Sequence, residues 1–447
     1  MKKISVLLCI ISILMSGACT KNKNEDKPAV KLAKATLLIV AQASSIWQRI
    51  NPADVDPSFT YNGLAPGCSS CPPTTDPSTG AVTSYNPQFS FFVKRGASNN
   101  LMIFFMGGGA CWDITNCQYH HTYFAQLFES ELILGFMTMG FAGGGILDAS
   151  KANNPFRDWT IVWVPYCTAD LGLGANDHAY PDRTNTSYTS GYYSGASATI
   201  HHRGLVNVKL VMKWLESNIT TAPDKLFVTG ISAGSYTAAM AYPYIRSIPI
   251  LSTGSTKGFM LGDSGVGVSG VRADGWTFFR IVMNQWGGGL GIQLAPTFSK
   301  KIYDPDPTKC YADYKDAFTE LTNDFPGDRF AQFTAKWDKI QTWFYNIQTN
   351  SNIDLPDTWG SEANAAPDLP TLQAWESGME TEINLGTANY TYYIGAGGSH
   401  TILTRPTFYT ENSPGISLLD WVNNFVNGAT IPGPVRCVSG TAGCDTP

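Results

Sequence analysis

The pentapeptide Gly-Ile-Ser-Ala-Gly at residues 230–234 has the G-x-S-x-G spacing that exposes a serine hydroxyl on a strained turn between a strand and a helix. Small flanking residues are needed because backbone crowds such a turn. The chain supplies both flanking elements, the apolar run LFVTG before Ser232 and a helix-forming stretch of small residues after it. A serine hydroxyl is a weak nucleophile until a base takes its proton, so a histidine is required next. The expected chain order is serine, acid, histidine. Of six histidines, His120, His121, His178, His201 and His202 precede Ser232, and only His400 follows it. His400 closes the glycine-rich stretch GAGGSH just past a strand-like run, where a loop can carry it to the serine. The chemistry expected of this pair is acyl transfer. Ser232 attacks a carbonyl, and His400 accepts its proton and returns it to the leaving alcohol.

Two carboxylates compete for the third place. Asp338 follows the strand-like RFAQFTAKW, about sixty residues before His400, and Asp263 ends the strand-like KGFMLGD. Both fall at expected carboxyl ends of strands, where sites gather in open α/β sheets. Asp338 is the preferred acid; Asp263 is the alternative acid, read otherwise as a carboxylate that hydrogen-bonds a turn. The oxyanion formed in acyl transfer needs N–H donors. One is expected from the backbone of Ala233, directly after the nucleophile. The other is expected from FFMGGGACW, where Gly108 and Gly109 let backbone amides approach the substrate without a Cβ.

These groups need elements that deliver them to one place. FSFFVKR and NLMIFFM, separated by GASN, read as two strands joined in a hairpin, and WTIVWVPY as a further buried strand. In LVNVKLVMKWLESNI, Val208, Val211, Leu215 and Ile219 recur at three- and four-residue intervals, which predicts an amphipathic helix before the strand LFVTG. Then come the strand of KGFMLGDSG, helical character over Arg272–Trp286 and Cys310–Phe325, the strand of RFAQFTAKWD, a helix from Lys339, the strand of YTYYIGAGGSH and a terminal helix over Ser417–Val426. Alternating strands and helices predict an α/β fold with a mainly parallel sheet and helices on both faces. An aromatic-rich insertion between Gly265 and Asp328 is expected to roof the site and set its acyl specificity. The GGG runs at 107–109, 143–145 and 287–289 mark tight or ligand-near backbone, and none carries the lysine of a phosphate loop.

Composition narrows the class. The 447 residues are 43% apolar and only 15% charged, with a net charge of −5 and no basic patch or tail, which excludes nucleic acid as a partner. Met1–Ser16 carries two lysines and then an apolar run, so residues 1–18 read as a secretory signal peptide. The small residues before Cys19 and the polar KNKNEDKPAVK after it match a lipoprotein signal, with Cys19 lipidated, a tether over 19–36 and a single folded domain over 37–447. The chain is therefore expected to be exported, either anchored by lipid in a bacterial envelope or secreted. No later segment has the roughly eighteen uninterrupted apolar residues of a membrane span. Eight further cysteines in an oxidising compartment suggest disulfides. CSSC, CWDITNC and CVSGTAGC would close three local loops and leave Cys167 with Cys310. No second CxxC joins CSSC to make a zinc site. The pairs His120-His121 and His201-His202 point their members apart and are read as structural. Neither a metal nor a cofactor is expected.

In order, a strand followed by GGGxC with a second cysteine shortly after, WTIVWVPYCTAD, HRG before a helix, GISAGS, LGDSG, AKWDKIQ and GSH resemble the pectin acetylesterase and Notum family of carboxylesterases, which are α/β-hydrolases. The likeness spans roughly residues 85–425. Residue by residue it implies Ser232 as nucleophile, Asp338 as acid and His400 as base. It also implies the GGG loop with Ala233 as oxyanion hole and Cys111–Cys117 as a local disulfide. In one departure, plant members usually have Trp directly before the loop cysteine, where this chain has Ala110 and then Trp112 after it. The resemblance implies acetyl groups on a polysaccharide such as pectin as the substrate, with the fatty-acyl ester of the Notum branch as the alternative. The rival from another class is a catalytically silent surface lipoprotein that binds glycan on the same scaffold.

Overall fold

In NLMIFF, successive side chains fall on opposite faces of a strand, and both faces are buried. Leu101, Ile103 and Phe105 join one apolar core while Met102 and Phe104 join another, so the sheet has a core on each side. The fold is a computed structural model that describes residues 28–445 apart from 70–72, 76–81, 86–88, 113–115, 118–121, 125–126, 128, 181–197, 272–276, 288–298, 301–305, 307–308, 310, 312, 350–366, 439 and 441–443. The expected signal segment, Cys19, His120, His121, Cys71 and Cys310 lie outside the described residues.

The main sheet has nine strands: β1 (Gln48–Ile50), β2 (Phe91–Lys94), β3 (Asn100–Phe105), β4 (Thr160–Val164), β5 (Lys225–Ile231), β6 (Lys257–Asp263), β7 (Arg329–Ala335), β8 (Tyr390–Gly395) and β9 (Val435–Arg436). Their order across the sheet is β1-β2-β4-β3-β5-β6-β7-β8-β9. From β4 onward every neighbouring pair is parallel; β1 with β2 and β2 with β4 are antiparallel. Helices cover both faces. On one lie α3 (Gly204–Asn218), α4 (Ala233–Arg246) and α6 (Tyr314–Asp324), and on the other α2 (Glu131–Thr138) and α9 (Leu418–Asn427). The remaining described helices longer than four residues are α1 (Pro28–Ile46), α5 (Phe278–Gly287), α7 (Lys339–Thr349) and α8 (Leu369–Glu382). Helix α1 runs across the tether boundary expected at residue 36, and its backbone at Ala43 lies on Gly135 of α2, where a Cβ would come within 1.9 Å of the Ala43 carbonyl oxygen.

The expected hairpin of FSFFVKR and NLMIFFM does not form, because β4 is inserted between β2 and β3. TIVWV is apolar and almost wholly buried, so it needs a partner on each edge. Phe104 stacks on Trp163 directly across the β3–β4 register, with ring centroids 4.4 Å apart. The connecting loop crosses the start of β4 at Gly96, where a Cβ would lie 2.2 Å from the Trp159 carbonyl carbon.

The cysteine pairing also differs from expectation. Cys111–Cys117 and Cys437–Cys444 close local loops, but Cys68 bonds Cys167 across 99 residues instead of closing CSSC or leaving Cys167 for Cys310. The reason is tertiary. The segment at 67–69 lies along the exit of β4, with Ser69 N–H donating to the Cys167 carbonyl and Gly67 held through both its N–H and its carbonyl by the Asn207 amide.

Candidate active site

Parallel strands point their carboxyl ends one way, and the chemistry-bearing residues follow those ends. Ser232 follows β5, Ser264 follows β6, Asp338 follows β7, His400 follows β8, and the glycine loop 107–109 follows β3. Ser232 stands between β5 and α4 at φ 54° and ψ −125°, a left-handed conformation that a side-chain-bearing residue adopts only when its surroundings impose it. The imposing contacts are close. A Cβ on Gly230 would lie 2.1 Å from the Gly234 carbonyl oxygen, and one on Gly234 would lie 2.1 Å from that of Phe105. The Ser232 N–H donates to the Asp263 carbonyl at 2.7 Å, which fixes the turn against β6.

His400 meets Asp338. Its Nδ1 lies 2.8 Å from Oδ1 and 3.0 Å from Oδ2 of a carboxylate with no exposed surface. A carboxylate only accepts, so Nδ1 carries the proton and Nε2 is left as a base. Asp338 is itself held by the N–H groups of Ile340 and Gln341 at the start of α7 and by the Gln341 side-chain amide at 2.9 Å. Gln341 is fixed in turn, since its Oε1 accepts from Val266 N–H. Gln341 stands three residues after the acid in the motif AKWDKIQ, but nothing in that spacing assigns it the role of holding the carboxylate.

Asp263 has different partners. Its Oδ2 accepts from the N–H groups of Ile402 and Leu403, both at 2.8 Å, and its Oδ1 accepts from the Ser264 hydroxyl at 3.0 Å. The Ser264 oxygen accepts from Thr401 N–H, and Thr401 is left-handed at φ 62°. The turn directly after His400 is thus tied to the end of β6. Burial pushes the Asp263 carboxyl up to about 6 against the pull of these donors. The second GGG run packs here too: a Cβ on Gly145 would lie 2.0 Å from the Leu403 carbonyl oxygen, so that run holds chain, and no ligand is needed to explain it.

A cavity opens over Ser232. Its walls include Gly109, Ala110, Ala233, Ser264 and His400 on the polar side, with Trp112, Phe278, Phe344 and Trp375 among the apolar groups. The water-sized interior is about 90 Å³, and about 710 Å³ with the open mouth included. Helix α5, from the aromatic-rich insertion, supplies Phe278, Phe279, Val282 and Trp286 to this wall. Gly108 is not on the wall; it packs against Tyr166, whose Cδ1 a Cβ would approach to 2.5 Å.

His178, His201 and His202 lie on a two-stranded ribbon and do not line the cavity. His202 is buried between the Tyr180 hydroxyl and the Thr168 carbonyl, and burial pushes its pKa down to about 3. His201 turns the other way, to Asp177 at 2.9 Å. Among the described residues no group of three His, Cys, Asp or Glu side chains is arranged to hold a metal, and no helix is long and apolar enough to cross a membrane.

Comparison with known proteins adds three likenesses. Residues 79–421 match the pectinacetylesterase family. A palmitoleoyl-protein carboxylesterase NOTUM of Schmidtea mediterranea is 33% identical over 95 residues, which is 21% of this chain and only 16% of that protein's length. Two crystal forms of the Wnt deacylase Notum from Drosophila superpose with TM-scores of 0.50 and 0.46 at 16% identity, over 80% of this chain and 94% and 93% of theirs. The first of these superpositions supports the α/β-hydrolase-like fold and says nothing about activity.

Proposed function

The chain belongs to the pectinacetylesterase family, and from that premise we propose that it is an exported serine carboxylesterase removing short acyl groups, acetyl first among them, from an esterified polysaccharide such as pectin. The observation that carries this reading is the fully buried Asp338 bonded to His400 Nδ1, beside a cavity that Ser232 enters from a strained elbow. Ser232 Oγ attacks the ester carbonyl while His400 Nε2 takes its proton, and Asp338 stabilises the imidazolium without itself being protonated. The carbonyl oxygen, now negative, is met by the N–H of Ala233 and by the Gly108–Gly109 loop. His400 returns the proton to the leaving sugar hydroxyl. Water then attacks the acyl-enzyme by the same route, with no cofactor.

Size supports the short acyl group. A dry cavity of about 150 Å³ holds a benzene ring, and the interior here is about 90 Å³. That suffices for a few carbons; the wider mouth leaves a bulky sugar in solvent. The three disulfides support an oxidising compartment, and lipid on Cys19 is proposed to anchor the chain in a bacterial envelope.

The test is a panel of aryl esters from acetate to decanoate beside an acetylated polysaccharide, with Ser232→Ala as control. Acetate is expected to lead decanoate by at least about tenfold in kcat/KM, on the scale of about 1 kcal/mol or more per poorly fitted group. A long-chain preference would overturn the deacetylase reading in favour of the fatty-acyl one.

A further inference from the structure

The oxyanion loop is built of glycines, and a glycine does not hold its own conformation. Gly109 sits at φ +78°, so the peptides on either side of it must be fixed from outside. On one side the Gly108 carbonyl accepts from Phe124 N–H at 2.8 Å. On the other the Gly109 carbonyl accepts from the Tyr166 hydroxyl at 2.7 Å. That hydroxyl accepts in turn from Leu171 N–H at 2.9 Å, which leaves its single proton to Gly109. The Tyr166 ring also lies against Gly108 in the space a Cβ would need.

Tyr166 is itself backed by a stiff loop. Ala169 and Leu171 are left-handed at φ 63° and 53°, and Asp170 between them has no exposed surface. Asp170 Oδ1 accepts from the Thr168 hydroxyl and Gly172 N–H, and Oδ2 from Gly174 and Gly204 N–H. Cys111 N–H donates to the Ala169 carbonyl, so the end of the oxyanion loop is pinned to the same wall. Burial keeps the Tyr166 phenol protonated far above its ordinary range.

We propose that Tyr166 is a positioning residue for the oxyanion hole: its hydroxyl fixes the 109–110 peptide through the Gly109 carbonyl, and with the Phe124 bond on the 108–109 peptide this holds the loop in the one conformation that presents its N–H groups to the developing oxyanion. The proposal rests on the esterase reading above. It assigns to the tyrosine of VPYCTAD a role in transition-state binding and none in ground-state binding.

Tyr166→Phe keeps the ring and removes the one oxygen, so it tests the point directly. The reference is Tyr242→Phe, which also removes a buried hydroxyl bond, to Asp328, at the opposite ends of the strands. Rates are expressed per active site titrated with a fluorophosphonate, which counts folded molecules only. Expected for Tyr166→Phe is a fall in kcat of about tenfold, below the roughly hundredfold of losing a donor outright, with KM for an aryl acetate within about twofold. The affinity for an alkylboronic acid, a tetrahedral adduct on the serine, should weaken by the same factor as kcat. Unchanged kcat and boronate affinity, or a loss equal to that of Tyr242→Phe, would overturn the proposal. A wild type that neither hydrolyses esters nor takes the label would overturn the esterase reading instead, and the proposal with it.

Discussion

Asp338 and Asp263 are both fully buried, and both touch the segment that carries His400. Order in the chain left both open as the acid; the partners differ. Asp338 faces the imidazole itself, whereas Asp263 faces main-chain N–H groups one and two residues beyond Thr401. On the esterase reading, Asp338→Asn should cost about 10³- to 10⁴-fold in kcat, as loss of the orienting carboxylate does in serine proteases. Asp263→Asn, which offers one acceptor oxygen where two are used, should cost about tenfold. Equal losses in kcat would show that the roles are not separated. Titration gives a second check. The Asp263 carboxyl titrates near 6 in the fold against an ordinary 3.8, so between those values the folded chain binds the proton more tightly than the unfolded chain. Stability from this group therefore rises as pH falls from 6 to 4, by an order of 3 kcal/mol at most. Asp263→Asn lacks that gain. Urea unfolding should find the substitution more costly at pH 4.5 than at pH 7, and an equal or smaller cost at pH 4.5 would refute the assignment.

At the scale of elements, the strands that bear the site were readable because each is a short, mainly apolar run with a glycine, serine or aspartate at its end or within three residues after it. KGFMLGD and RFAQFTA are buried almost throughout and pair as neighbours in the sheet. Which strand lies beside which was not readable. The insertion of β4 between β2 and β3 depends on contacts such as Phe104 on Trp163, between residues far apart in sequence. The Cys68–Cys167 bond escaped for the same reason, since short spacing favoured local rings and only the fold brings 67–69 to the exit of β4. The elbow was legible because its glycines have a steric cause. Gly234→Ala would put a Cβ 2.1 Å from the Phe105 carbonyl oxygen, so backbone must move and Ser232 with it. The expected cost is about 1–3 kcal/mol in urea unfolding, with fluorophosphonate labelling slowed by more than that loss of folded protein explains. Unaltered stability and labelling would mean that the turn is looser than its geometry indicates.

For the whole molecule, a mainly parallel sheet collects five loops at one end, and an insertion folds over them. The insertion was visible as an aromatic-rich stretch, and α5 does bring Phe278, Phe279, Val282 and Trp286 to the cavity. What composition could not disclose is the cavity's shape, which α7 and α8 also set through Ile340, Phe344 and Trp375. Nor could it disclose the support behind the site, where Tyr166, Asp170, Ser264 and Gln341 act through hydrogen bonds between residues of no recognisable spacing. The central claim is that this assembly makes Ser232 a nucleophile. The most direct measurement is intact mass and peptide mapping after exposure to a fluorophosphonate. One adduct per chain is expected, located on Ser232, absent in Ser232→Ala and formed at least about a hundredfold more slowly in His400→Ala. A folded wild type that takes no adduct, or takes one equally well after Ser232→Ala, would contradict it.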